Sequence, residues 1–256
     1  MTPEEARMLV SKDFPFKEYI EHQREAELNI AITVLSYLKP GSKILDFGSG
    51  PCDKVAILQY LGFQCSACDD LQDEWHRESD NKEKIISFAR NIGIDFRLIE
   101  NEMIPFKDEC YFDMIMIHHV LEHFHNSPRK VLTGLLRLAK SEGILFVTIP
   151  NAVNIRKRIA VMFGRTNMPR YEDYYWHGGY YRGHVREYVR DDLVKLSKYL
   201  DLEILELRGV DHMIQRLPST IRPMYSFVTS IFPGWKDTWL LVAKKGIGWK
   251  HNKQLS

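Results

Sequence analysis

Residues 43–61, KILDFGSGPCDKVAILQYL, constrain the fold more than any other stretch of the chain. An apolar run of strand length ends in Asp46, two glycines follow two apart, and apolar positions then recur at helical spacing. Glycines at such a junction let the backbone turn tightly and approach a ligand with no Cβ in the way. A strand passing at once into a helix is also the repeating unit of parallel sheets, whose strands need crossover connections. The pattern continues with strands expected at 63–68, 95–99, 112–117, 143–149, 202–207 and 238–244, and helices at about 53–61, 81–91, 119–139 and 191–200. A further helix over 16–38 stops at Lys39-Pro40-Gly41. The expected architecture is one α/β domain over 1–256, with a mainly parallel seven-stranded sheet, helices on both faces, and two insertions at 150–190 and 208–237. Ligands in such sheets sit beyond the carboxyl ends of the strands.

Composition narrows the partners. Thirty-five basic residues against 34 acidic ones leave a formal charge of +1, which argues against bulk attraction to nucleic acid. No apolar stretch reaches the roughly 18 residues of a membrane span, and the first residues lack a basic region followed by an apolar one, so a cytoplasmic protein is expected. The four cysteines do not form a disulfide framework. Cys65 and Cys68 fall within one strand, where alternation turns their side chains apart, and the pair is read as structural.

The glycine turn lacks the third glycine of the dinucleotide fingerprint and the GK[ST] ending of a P-loop. ILDFGSGPC instead resembles the first motif of class I S-adenosylmethionine-dependent methyltransferases, and the resemblance runs over about 20–207 with the closing strand also fitting. It implies a Rossmann-like domain whose core, 43–149, binds S-adenosyl-L-methionine. Asp46, Gly48 and Gly50 would hold the methionine end, and Asp69 by register, with Asp70 as the fallback, would take the ribose hydroxyls. Matching IPF to the family's usual LPF puts Glu100 or Asn101 near the adenine, and His118 could line the cofactor pocket. Cys52 stands where the family usually has glycine and is read as tolerated packing.

The stretch HHVLEHFH, 118–125, follows the fourth strand. On the expected helix His119, Glu122 and His123 are spaced i, i+3, i+4 and share one face. Two imidazoles and a carboxylate can converge on a metal; alternatively the Glu-His pair fixes the helix start and a histidine acts as general base. The segment is similar to the ExxEH motif of ubiquinone-biosynthesis O-methyltransferases and of small-RNA 3′-terminal 2′-O-methyltransferases. That likeness implies a divalent metal held by His119, Glu122, His123 and the later His184, with His119, His123 and His184 as the catalytic histidines. Replacement of the first acid by histidine favours Zn²⁺, Fe²⁺, Mn²⁺ or Co²⁺ over Mg²⁺. Asn151 is either a turn former or a substrate-positioning group, and His125 is expected at the surface.

The first insertion packs six Tyr or Trp rings into RYEDYYWHGGYYRGH, 170–184, suited either to a substrate lid for sugar-like or planar acceptors or to a loop sealing the core. NIRKRIAVMFGR, 154–165, reads as a solvated helix with one buried face, or as a contact for a membrane surface or an anionic substrate group. The PN…GR…GH layout with the closing FPGWKDTWLLVAKK resembles that of relatives that often act on saccharides or glycolipids, which implies such an acceptor. The expectation is therefore an O-methyltransferase acting on a hydroxyl of a sugar, polyol or catechol-like small molecule. An RNA 2′-O-methyltransferase and a silent cofactor-binding partner subunit are the alternatives; no oligomeric state follows.

Overall fold

In the computed structural model, which describes residues 1–101 and 103–249, the chain opens with α1 (Pro3–Asp13), α2 (Lys17–Glu21) and α3 (Arg24–Tyr37). Glu102, within the quoted IENEMIPF segment, and residues 250–256 of the expected 1–256 domain lie outside the described residues. The single helix expected over 16–38 is two, broken at His22-Gln23. Arg7 of α1 explains the break: its guanidinium donates to the Ile20 carbonyl at 3.3 Å and to the Glu27 carboxylate at 2.7 Å, drawing both helices onto α1. The signal for α1 was present in MTPEE, where Thr2 and Glu5 form a reciprocal capping box around Pro3.

The alternating core follows as β1 (Lys43–Phe47), α4 (Asp53–Tyr60), β2 (Gln64–Asp69), α5 (Glu74–Arg77), α6 (Asn81–Asn91), β3 (Asp95–Leu98), β4 (Phe112–His118), α7 (Arg129–Leu138) and β5 (Ala139–Pro150). The first insertion carries α8 (Ile155–Met162) and α9 (Tyr171–Tyr175), and the chain closes with α10 (Arg190–Tyr199), β6 (Leu202–Val210), α11 (Arg222–Ile231) and β7 (Thr238–Lys245). The helix expected over 119–139 forms only from Arg129; before it stand a 3₁₀ turn at Leu121–His123 and His119 in the left-handed region, φ 54°. Pro128 explains the late start, because it disfavours helix at the residue before it and suits a first turn.

The sheet order is β3-β2-β1-β4-β5-β7-β6, with β7 antiparallel to both neighbours and the remaining pairs parallel. Connectivity therefore reverses direction between β1 and β4, the switch point at which such sheets open a crevice. Strand alternation builds the two cores. Met114 and Met116 of β4 pack with α1, α3, α4 and α6 on one face, whereas Ile115 and Ile117 pack with α7 and α10 on the other. Cys65 and Cys68 fall on these opposite faces, as their spacing requires, and neither is bridged. Neither α8 nor α9 buries a residue, so the buried face expected of the basic helix is missing. Among the described residues no helix is long and apolar enough to cross a membrane.

Candidate active site

Pairing of Asp46 with Met116 and of His118 with Thr148 brings the carboxyl ends of β1, β4 and β5 side by side. The glycine turn after β1 thus faces the histidine-rich turn after β4. Gly48, at φ 73°, is closed to any side chain, since a Cβ there would run into Val120. Gly50, at φ 52°, has open space around the same position and leaves its backbone free to approach a ligand. Cys52 also adopts the left-handed region, φ 67°, which is the physical reason a glycine suits this position. Its thiol is fully buried beside the Ser49 hydroxyl at 3.5 Å, and burial pushes its pKa well up, so it is no nucleophile.

The residues expected to hold the cofactor, Asp46, Gly48, Gly50, Asp69, Asp70, Glu100, Asn101 and His118, all border one cavity of about 1310 Å³. A single ligand site commonly spans about 300–1,000 Å³, so this one has room for a cofactor and an acceptor together. Asp46 is buried with one carboxylate oxygen unpartnered, and burial pushes its pKa up to about 7. Asp69 accepts the Gly50 N–H at 2.8 Å on one oxygen and the Leu71 N–H at 2.7 Å on the other, and burial raises it to about 6. Each of its oxygens keeps an acceptor site. Asp70 instead receives Arg182 on both oxygens, at 2.9 and 3.0 Å, and the same guanidinium reaches Asp73 at 2.8 Å. A glycine cradle, an orphaned buried carboxylate and an acid at the end of β2 fit a nucleoside carrying a cationic amino-acid tail.

His119, Glu122, His123 and His184 border the same cavity, but the shared helical face expected for the first three is not there. Ligand atoms of Glu122, His123 and His184 lie within 4.8 Å of one another, while His119 stands to the side with Nδ1 3.3 Å from a Glu122 oxygen. His123 Nδ1 donates to the Arg182 carbonyl at 2.7 Å, and His184 Nδ1 donates to the Glu187 carboxylate at 2.8 Å. Both rings are thereby held with Nε2 bare, the arrangement that second-shell acceptors impose on metal-binding histidines. Lys157 anchors Glu187 in turn. Burial lowers His184 to about 4, which keeps it a neutral donor. Burial pushes the Glu122 carboxyl up, yet the neighbouring His119 and His123 outweigh it and hold the group below its ordinary value. Both Glu122 oxygens are buried without a hydrogen bond. A buried carboxylate and two bare imidazole nitrogens fit a divalent ion, and their nitrogen content suits a transition metal.

Other side chains settle differently. Asn151 is buried and donates to the Gly234 and Lys236 carbonyls at 2.9 and 2.8 Å while accepting the Val153 N–H, so it ties the second insertion to the sheet and does not border the cavity. His118 Nδ1 pairs with the Thr148 hydroxyl at 3.0 Å. Of the six rings in 170–184 only Tyr180 borders the cavity; the helix α9 holding three of them buries nothing. His212 was not anticipated. It is buried, has no partner on either ring nitrogen, and lies 5.8 Å from the His119 ring, where burial holds its pKa well down. Its signal was positional, since it follows β6, whose carboxyl end lies on the ligand edge. Arg182, equally unforeseen, carried no motif.

A methyltransferase-domain profile matches residues 20–207, well over half of the chain. The fold is shared with an S-adenosylmethionine-dependent methyltransferase of Methanosarcina mazei, at TM-score 0.57 and 17% identity, covering 84% of this chain and 97% of that one. A Mesorhizobium loti protein of the same description gives TM-score 0.58 and 15% identity over 86% and 98% of the two chains. The cyclase SpnF gives TM-score 0.58 and 16% identity over 88% and 84%. No protein of curated function matches the chain by sequence.

Proposed function

The chain belongs to the methyltransferase-domain family, as a class I S-adenosylmethionine-dependent methyltransferase, and on that premise we propose that it methylates a hydroxyl oxygen of a sugar, polyol or catechol-like acceptor with the help of a divalent metal. The observation that carries this reading is the convergence of Glu122, His123 and His184 with both histidine Nδ1 atoms already engaged. S-adenosyl-L-methionine supplies an electrophilic methyl group bound as a sulfonium. A divalent cation held by Glu122, His123 and His184 supplies Lewis-acid polarisation of an acceptor hydroxyl.

The protein's own residues do the rest. Asp46 and the Gly48–Gly50 turn take the cofactor's amino-acid end, and Asp69 offers its free acceptor sites to the ribose diol. Glu100 and Asn101, in the loop after β3, border the same cavity and would flank the adenine. His119, with Nδ1 3.3 Å from the Glu122 carboxylate, receives the acceptor proton, and buried His212 lies beside it. Arg182 draws the 170–184 loop onto the ribose side. Metal measured on protein purified without chelator, together with S-adenosylhomocysteine formation before and after chelation, tests the proposal. Absence of metal, with full activity in both His119→Ala and His184→Ala, would overturn metal assistance while leaving cofactor binding in place.

A further inference from the structure

In a chain of nearly balanced charge, two of the acid-free stretches lie together on one side of the molecule: Asn154 to Tyr171, with Arg156, Lys157, Arg158, Arg165 and Arg170, and His212 to Lys236, with Arg216, Arg222 and Lys236. Each segment carries a short helix whose apolar side chains point away from the protein. In α8 and its end, Met162 is 81% and Phe163 77% exposed, and the helix buries nothing. In α11 the polarity is reversed from that of an ordinary surface helix, because Tyr225 and Thr229 are buried while Met224, Phe227 and Ile231 form the outer stripe at i, i+3, i+7. The two helices occupy one side of the molecule. The Arg158 guanidinium lies 5.5 Å from the Trp235 ring, which stacks on Phe232 at the end of α11. The same segments rim the catalytic cavity through Arg156, Met168, Met213 and Arg216.

Exposed apolar stripes flanked by exposed arginines match an anionic bilayer surface, where apolar side chains enter the acyl boundary and arginines meet lipid phosphates. We propose that α8 and α11 dock this protein on an anionic phospholipid membrane, and that the acceptor hydroxyl belongs to a lipid headgroup delivered from that bilayer into the cavity. The second clause rests on the methyl-transfer reading; the first does not. A second protein chain would be served by the apolar stripes but gives no reason for exposed Arg156, Arg165 and Arg170 to flank them.

The test is co-sedimentation of the full chain with vesicles of phosphatidylcholine alone and with phosphatidylglycerol added at about one part in three. Binding is expected only to the anionic vesicles, weakening with salt, and falling at least about tenfold in Phe163→Ser/Phe227→Ser and in Arg165→Glu/Arg170→Glu. S-adenosylhomocysteine affinity measured on the same variants reports folding and the cofactor site separately, and should be unchanged. Failure to bind anionic vesicles, or binding that both double variants retain, overturns the proposal. So does self-association of the wild-type chain that Phe163→Ser/Phe227→Ser abolishes without any vesicle binding. Loss of methyl transfer with vesicle binding intact would instead count against the catalytic reading.

Discussion

The Arg182 carbonyl accepts the Nδ1–H of His123 at 2.7 Å. Because a carbonyl can only accept, the contact fixes the tautomer of His123 and presents Nε2 to Glu122 and His184. The side chain of the same residue grips Asp70 and Asp73 on the loop after β2, so one residue ties the Glu122–His123–His184 cluster to that loop.

Removing that grip should loosen both ends. Arg182→Ala keeps the carbonyl but frees the 170–184 loop, and metal affinity measured by titration calorimetry should fall about tenfold, the lower end of second-shell effects. Unchanged metal affinity would show that the carbonyl is positioned without the guanidinium.

Glu187 orients His184 by accepting its Nδ1–H at 2.8 Å. Glu187→Gln retains an acceptor but loses the charge, so metal affinity and kcat should fall about 10- to 100-fold while S-adenosylhomocysteine binding stays the same. A parallel loss of cofactor affinity would assign Glu187 to folding.

The two glycines of the turn should respond differently to alanine. Gly48→Ala forces a Cβ against Val120 and should cost about 2–4 kcal/mol, combining left-handed strain with overpacking. Gly50→Ala meets open space and carries only the backbone strain of about 1 kcal/mol, yet should abolish cofactor binding by filling the cradle. Denaturant melts and a binding isotherm for each variant separate the two effects.

Asp69→Ala should lose cofactor binding and loosen the turn, because the Gly50 N–H loses its acceptor. Asp70→Ala should leave cofactor affinity within about threefold, since both Asp70 oxygens already serve Arg182, an ion pair of modest strength. The reverse ranking in a binding assay would move the ribose contact to Asp70.

Burial raises Asp46 to about 7, above the roughly 3.9 of an unfolded aspartate. Between these values the folded protein holds a proton that the unfolded chain has released, so stability without ligand falls as pH rises from about 4 to about 7. The slope from one such group reaches about 1.4 kcal/mol per pH unit. Asp69, at about 6, acts in the same sense. Asp46→Asn should flatten the melting temperature across this window; an identical slope would remove Asp46 from the titration.

The strand order of types, the glycine turn and the opposed faces of Cys65 and Cys68 were legible in the sequence, because periods of 2 and 3.6 are local and a left-handed turn names its residues. Legible too was that the turns after β1 and β4 would face one cavity beyond the strand ends, since a parallel sheet with crossovers places them there, although His119, expected with Glu122, His123 and His184, stands to the side of them. The route by which Glu122, His123 and His184 meet was not: Pro128 shortens the helix, His119 enters the left-handed region, and a 3₁₀ turn delivers Glu122 and His123 instead. Arg182, Glu187 and His212 come from insertions whose folding has no periodicity, so only the tertiary structure brings them to the site. The outward apolar faces of α8 and α11 are likewise a tertiary outcome. Sequence gives a helix two sides, but packing chooses which side faces the core, and for α11 the choice fell on Tyr225 and Thr229.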